Sequence, residues 1–417
     1  QTKKADFKQI GARFRIDPVT ARIIRNRGIE GEAAIDRYLN GTLDDLYDPM
    51  LLKDMERAVS ILCEAVDTGK KIRIVGDYDI DGVCSTYILL QAFERLGSDV
   101  DFEIPDRIKD GYGINESIIE QAHADGVEVI LTCDNGISAF HQVELAKKYG
   151  MTVVITDHHE VPLDGEKEKI PPADAVIDPK QADCPYPFPE ICGAVVAYKL
   201  VQVLYARRGV PQMEWLDLLE FAAIATVGDV MKLQDENRIL VKYGLKKMAQ
   251  TKNLGLRRLA EKNNLDLGAI TAYHIGFVIG PCLNAGGRLK TAKEALALLR
   301  AQSEEEAERL AEELKELNDT RKDMTEQGTE AAKLQVESWY QKDKVLVVFL
   351  PECHESLAGI IAGRLREYYQ KPAIVLTRGE EAVKGSGRSI DEYHMFKKLT
   401  EVSDLLLKFG GHPLAAG

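Results

Sequence analysis

From Lys71 to Lys180 the chain repeats one pattern: a short run of apolar and β-branched residues, a polar break, then a stretch with helical spacing. The runs are IRIV (72–75), VDFEI (100–104), VEVILTC (127–133), TVVIT (152–156) and DAVID (174–178). Strands separated by helices cannot pair as hairpins. They join through crossovers, which build a parallel sheet covered by helices on both faces. In such a sheet, ligands bind beyond the carboxyl ends of the strands, so the residues that follow each run are the place to look for chemistry.

Those residues are acidic. IRIVG runs into Asp77, Asp79 and Asp81, VILTC into Asp134, and VVIT into Asp157, His158 and His159; a further apolar segment, FAAIATVGDVMKL, delivers Asp229. The DYDIDG run alone suggests a calcium loop, but the twelfth position from Asp77 is Ile88 rather than a bidentate Glu, and the preceding residues are strand-like where an EF-hand needs a helix. A phosphatase of the haloacid-dehalogenase type would use the D-x-D-G segment but has no use for an Asp-His-His. Alternate residues of an extended segment share a side, so Asp77, Asp79 and Asp81 can converge, and neighbouring parallel strands can bring Asp134 and His158 beside them. So many carboxylates in one pocket call for a cation. Oxygen ligands with one or two imidazoles favour Mn²⁺ or Mg²⁺, and two such ions ~3.5 to 4 Å apart would suit phosphoester hydrolysis.

A length of 417 residues implies two to three domains, and 45% hydrophobic with 29% charged residues is a soluble globular composition. No apolar run approaches the ~20 residues that span a bilayer, and the N-terminal QTKKADFKQIG has no apolar core of a signal peptide, so a cytoplasmic protein is expected. Seven scattered cysteines without a CxxC pair point to reduced thiols rather than a disulfide framework or a zinc site. The net charge of −13 speaks against bulk binding of nucleic acid, so any nucleic-acid groove must be local. Helical spacing precedes the sheet over residues 7–66 and follows it over 193–300. A charged helix from about Ser303 to Gln341, ~55 Å long at ~1.5 Å per residue, then leads to a second α/β region with strands VLVVF (345–349) and AIVLT (373–377), helix ESLAGIIAGRLREYY and the glycine-rich KGSGRS. The absence of an initial Met and the ending GGHPLAAG suggest a piece of a longer protein.

GDYDIDG, CDNG, DHH and VGDV resemble the four motifs of the DHH phosphoesterase superfamily. IRNRGIEGEAAIDRYLN, YDPMLLKDMERAV, IPDRIKDGYGI, GPCLNAGGRL, HESLAGIIAGRL, GSGRS and GGHPLAAG extend the likeness to its RecJ family. The resemblance implies an α/β fold: a parallel-sheet DHH domain (67–302) preceded by a helical segment (1–66) that packs on it. A connecting helix (303–341) would join it to a smaller α/β DHHA1 domain (342–417), with the active-site cleft between them. It implies a Mn²⁺- or Mg²⁺-dependent 5′-to-3′ exonuclease on single-stranded DNA, acting in repair and recombination. Asp134 would bridge two ions, with Asp77 and Asp79 on one and Asp81, His158 and Asp229 on the other. His159 would face the scissile phosphate, with Asp157 orienting a histidine. Arg107, Ser386 and Arg388 would meet the 5′ phosphate, with His412, Asn284 and Arg288 also toward substrate. The chain departs from the family at Cys282 and Gly286, and at Glu355 and Ser356. Expected partners are single-stranded DNA, a single-strand-binding protein and a helicase, with no membrane and a monomeric state. The alternatives within this superfamily are a phosphodiesterase of short oligonucleotides or cyclic dinucleotides and a non-catalytic replication scaffold; the latter would be expected to have lost metal ligands that are all present here.

Overall fold

A computed structural model describes residues 4–379 and 382–417. The chain forms two compact units. The first comprises the described residues up to Gly287 together with Thr291–Glu312; the second comprises Arg288–Lys290 and the chain from Glu313 onward.

The first unit is built on a five-stranded sheet. Its strands are β1 (Ile72–Val75), β2 (Val100–Glu103), β3 (Val129–Cys133), β4 (Thr152–Thr156) and the strand Ala175–Ile177. They lie in the order β2-β1-β3-β4-(Ala175–Ile177), all parallel. Helices Ile80–Arg95, Glu116–Ala124 and Phe140–Lys148 form the crossovers. Because the chain steps from β1 outward to β2 and then back past β1 to β3, the strand order reverses between β1 and β3, and a crevice opens there at the carboxyl edge. Helix Ile80–Arg95 packs against Gly193–Arg207 and Leu219–Gly228. All three helices are apolar nearly all round and buried over most of their length, as expected of helices sandwiched within a core.

β1 contains a charge where a buried strand should have none. Arg73 is buried, and directly opposite it in register on β2 stands Asp101, which accepts from Arg73 Nε and Nη2 at 2.7 and 2.8 Å. Asp125 accepts a third bond at 2.8 Å. The fork geometry of the guanidinium makes this tolerable.

In the second unit the strands run in the order (Gly411–His412)-(Ala415–Ala416)-(Val383–Arg388)-(Ala373–Arg378)-(Leu346–Phe349), only the last pair being parallel. The glycine-rich run is therefore a strand, and Gly385 and Gly387 make room for the Leu376 and Met395 side chains. Helix Glu355–Tyr369 covers the sheet, and its Leu357, Ile361 and Leu365 pack with Leu346, Val348, Ala373 and Val375. The charged helix spans Glu304–Gln335 and ends in a π-turn, Val336–Tyr340, shortly before strand Leu346–Phe349. All seven cysteines are free thiols, with Cys84, Cys133, Cys192 and Cys282 buried. Among the described residues no helix is long and apolar enough to cross a membrane.

Candidate metal centre

The acids that follow β1, β3 and β4 meet at the crevice. Three overlapping groups, each with ligand-capable atoms within 4.8 Å of one another, are Asp77, Asp79 and Asp134; Asp134, His158 and His159; and Asp81, His158 and Asp229. His158 stands at the junction, its Nε2 3.1 Å from Asp134 Oδ1, 3.4 Å from Asp81 Oδ2 and 3.9 Å from Asp229 Oδ2.

Local structure accounts for each placement. Asp79 caps the helix after β1, accepting from the amides of Asp81 and Gly82 at 2.9 and 3.1 Å, so the turn that holds Asp77 and Asp81 is set by an ordinary N-cap. Asp81 in turn accepts 2.7 Å bonds from the amides of Gly193 and Ala194, at the start of helix Gly193–Arg207, where a helix favours an anion. A Cβ on Gly193 would lie 2.7 Å from Asp134 Cβ, so glycine is what lets this helix approach. Asp134 itself has φ +61°, and Val230, next to Asp229, has φ +57°. Left-handed backbone at an acid and at a β-branched residue is strain of the kind that collects at working sites.

Asp157 does not join the acid cluster as one more ligand atom. Its Oδ2 accepts from the Ile137 amide at 2.9 Å, and its Oδ1 from the amides of His158 and His159 at 2.7 and 3.2 Å and from the His159 ring at 2.8 Å. It holds the His159 imidazole by its ring and His158 by its backbone amide alone. Burial, opposed by the hydrogen bond and charge of Asp157, leaves His159 raised to about 9. Burial holds the His158 pKa below its ordinary value. Burial and then neighbouring carboxylates push Asp77 and Asp229 up to about 8 and raise Asp79 and Asp134 as well.

These acids cannot all ionise together without a cation. Asp134 Oδ1 is buried and makes no hydrogen bond, although His158 Nε2 approaches it to 3.1 Å, a condition that costs free energy unless something else satisfies it. Carboxylate oxygens with one imidazole fit Mn²⁺ or Mg²⁺ and not a thiolate-seeking ion.

Residues beyond the motif acids complete the centre. Tyr112 donates its hydroxyl hydrogen to the Asp134 carbonyl at 2.9 Å and lies 3.1 Å from His159 Nδ1. Asn135 donates to the carbonyls of Val75 and Cys133 at 3.0 and 2.9 Å and accepts from the Ile114 amide at 3.2 Å, tying the ends of β1 and β3 together. Nothing local in GYG or CDNG marks the partners of Tyr112 and Asn135, and for Gly193 the one visible signal is a glycine opening an apolar helix.

The residues expected to meet substrate are described each in its own unit. Arg107 is half-buried, with its guanidinium 4.5 Å over the Tyr78 ring, and that ring meets Tyr112 edge-on at 6.5 Å. Asn284 is half-buried on helix Gly280–Leu289. In the second unit, Arg288 donates to the Ser356 carbonyl at 3.0 Å. Ser386 and Arg388 lie on strand Val383–Arg388, and the Arg388 guanidinium rests where a Cβ on Gly359 would be, at 2.9 Å. His412 is exposed at the sheet edge.

Comparison with known proteins places this geometry. The DHH family, N-terminal domain, matches residues 71–226, and the DHHA1 domain matches residues 342–417. The single-stranded-DNA-specific exonuclease RecJ of Escherichia coli is 36% identical over 423 residues, covering 96% of this chain and 72% of that protein. The Bacillus subtilis protein of the same name is 38% identical and covers 98% of this chain, which spans only 51% of that protein's length. The crystal structure of RecJ from Thermus thermophilus in complex with Mn²⁺ superposes with a TM-score of 0.83 at 31% identity, covering 99% of this chain and 57% of that one.

Proposed function

The chain belongs to the RecJ family of single-stranded-DNA-specific exonucleases, and on that premise we propose that it hydrolyses phosphodiester bonds of single-stranded DNA from the 5′ end with Mn²⁺ or Mg²⁺. What carries the reading is the convergence on one crevice of Asp77, Asp79, Asp81, Asp134, His158 and Asp229, with Asp134 Oδ1 buried beside His158 Nε2 and making no hydrogen bond. In this proposal Asp77, Asp79 and Asp134 would hold one ion, and Asp81, Asp134, His158 and Asp229 would hold the other. A pair of such ions, when bound, activates a water and stabilises the leaving oxygen.

The protein's own groups do the rest. Asp157 holds His159 by Nδ1 and so orients its ring, which in this reading would face the phosphodiester. Tyr112 limits the swing of that ring. Arg107, Asn284, Arg288, Ser386, Arg388 and His412 would bind phosphates of the strand, positioning it without reading bases; this assignment rests on the family resemblance. So do the monomeric state, a role in repair and recombination, and contacts with a single-strand-binding protein and a helicase.

The test is digestion of 5′- and 3′-labelled single strands with Mn²⁺ and with a chelator. Loss of 5′-terminal nucleotides first, abolished by chelation, is the expected result. Release from the 3′ end first, or undiminished cleavage under chelation, would overturn the reading.

A further inference from the structure

Tyr273 and Phe277 are large aromatic side chains, 63% and 68% exposed. Single exposed apolar residues are ordinary, but these two stack on each other with ring centroids 4.8 Å apart and planes 27° from parallel. They stand four residues apart where the short helix Ala272–His274 runs into the π-turn Ile275–Ile279. The same segment buries Ile275 and Ile279 completely, so the aromatic pair is an outward ledge on a firmly rooted element. π-turns recur where a helix face is re-aimed for function.

The root of the ledge is the metal centre's own packing. Ile80, which follows Asp79, is the shared neighbour: a Cβ on Gly228, the residue before Asp229, would lie 2.5 Å from Ile80 Cγ2, and one on Gly280 would lie 3.3 Å from Ile80 Cδ1. A Cβ on Gly276, between the two aromatics, would lie 3.6 Å from Val227. Within one unit, the ledge thus packs against the residues that flank Asp79 and Asp229.

We propose that Tyr273 and Phe277 form a stacking platform for an unpaired base of the strand whose phosphate is held at the acid cluster. The inference rests on the single-strand reading above and adds to it a reason for strand selectivity. A ring face takes any base, because every base has a π-face, but it takes one only when that base has left its duplex stack. Phosphate contacts do not discriminate in this way.

The test uses the whole chain with Mn²⁺ and 5′-phosphorylated oligonucleotides in which one abasic nucleotide is moved stepwise from the 5′ end. With stacking worth what aromatic–base contacts usually are, Phe277→Ala should raise KM about tenfold, with the loss in KM rather than kcat, and Phe277→Trp should retain the wild-type value. The wild type should show a matching rise in KM at one abasic position, and Phe277→Ala should be insensitive to that same abasic nucleotide. A KM for both Phe277→Ala and Tyr273→Ala within twofold of wild type overturns the platform, as does an abasic effect that persists undiminished in Phe277→Ala. Should the wild type leave the strand uncut, the exonuclease reading itself has failed. The platform is then judged by indole fluorescence of Phe277→Trp, where quenching by oligo(dT) but not by an abasic strand supports it and equal signals reject it.

Discussion

Two buried polar clusters sit within the first unit, and they solve the burial of charge in opposite ways. The first surrounds Lys199, 1% exposed, and Glu236, fully buried. Lys199 Nζ lies 3.1 Å from Glu236 Oε2 and donates to the Tyr47 carbonyl at 3.1 Å, while Tyr186 donates its hydroxyl hydrogen to Glu236 Oε1. One cation meets one anion, and the cluster holds the N-terminal segment around Tyr47 to helices Gly193–Arg207 and Asp235–Met248. The second cluster gathers Asp77, Asp79, Asp81, Asp134 and Asp229 around His158 with far more acid than base. A balanced buried network is part of the scaffold. An unbalanced one is a socket, and its missing charge has to arrive from solution.

The sharpest way to break this contrast is to reduce each cluster by one charge. Asp134→Asn keeps a residue type that tolerates left-handed backbone but removes the shared ligand. Nuclease activity should fall by at least about a thousandfold, while metal-free thermal stability holds or rises, since a like charge is gone. Calorimetry and single-turnover kinetics on the same sample check both halves. Retention of turnover in Mn²⁺ would mean the acids are not a socket.

Lys199→Met should do the reverse, destabilising the unit by about 3 to 5 kcal/mol because Glu236 is left buried without its cation. The double variant Lys199→Met/Glu236→Gln should recover much of that loss. Denaturant titration of the four proteins gives the coupling directly, and additive losses would contradict the pairing.

The smallest expected effect is on pH. Asp77 and Asp229, pushed up to about 8 first by burial and then by neighbouring carboxylates, bind protons that a metal must displace. Apparent Mn²⁺ affinity should therefore climb from pH 6 to 8 and flatten above, as read by titration calorimetry. An affinity that stays level over that range would place the metal elsewhere.

Much of this was legible in the chain itself. The β-branched runs marked the strands because a period of two or a short buried run is a property of adjacent residues. Motif acids at the ends of those runs marked the crevice because parallel strands all point one way. Lys199 was not legible as a buried cation. It lies in an apolar helix, GAVVAYKLVQVLYAR, and its partner Tyr47 is 152 residues away. Nor was the Asp81 clamp, made by amides 112 and 113 residues downstream, nor the meeting of Tyr112 with His159.

The sequence by itself determined the strands of the first sheet and the helices between them, that this sheet is parallel, and which acids end its strands, since each follows from local periodicity and the direction of the chain. Only the tertiary structure decided that Gly193 grips Asp81, that Tyr112 reaches both the Asp134 carbonyl and His159, and that an aromatic ledge shares its root with the acid cluster. Those outcomes depend on distances between residues far apart in the chain, and such distances exist only once the sheet has closed and the helices have packed against it.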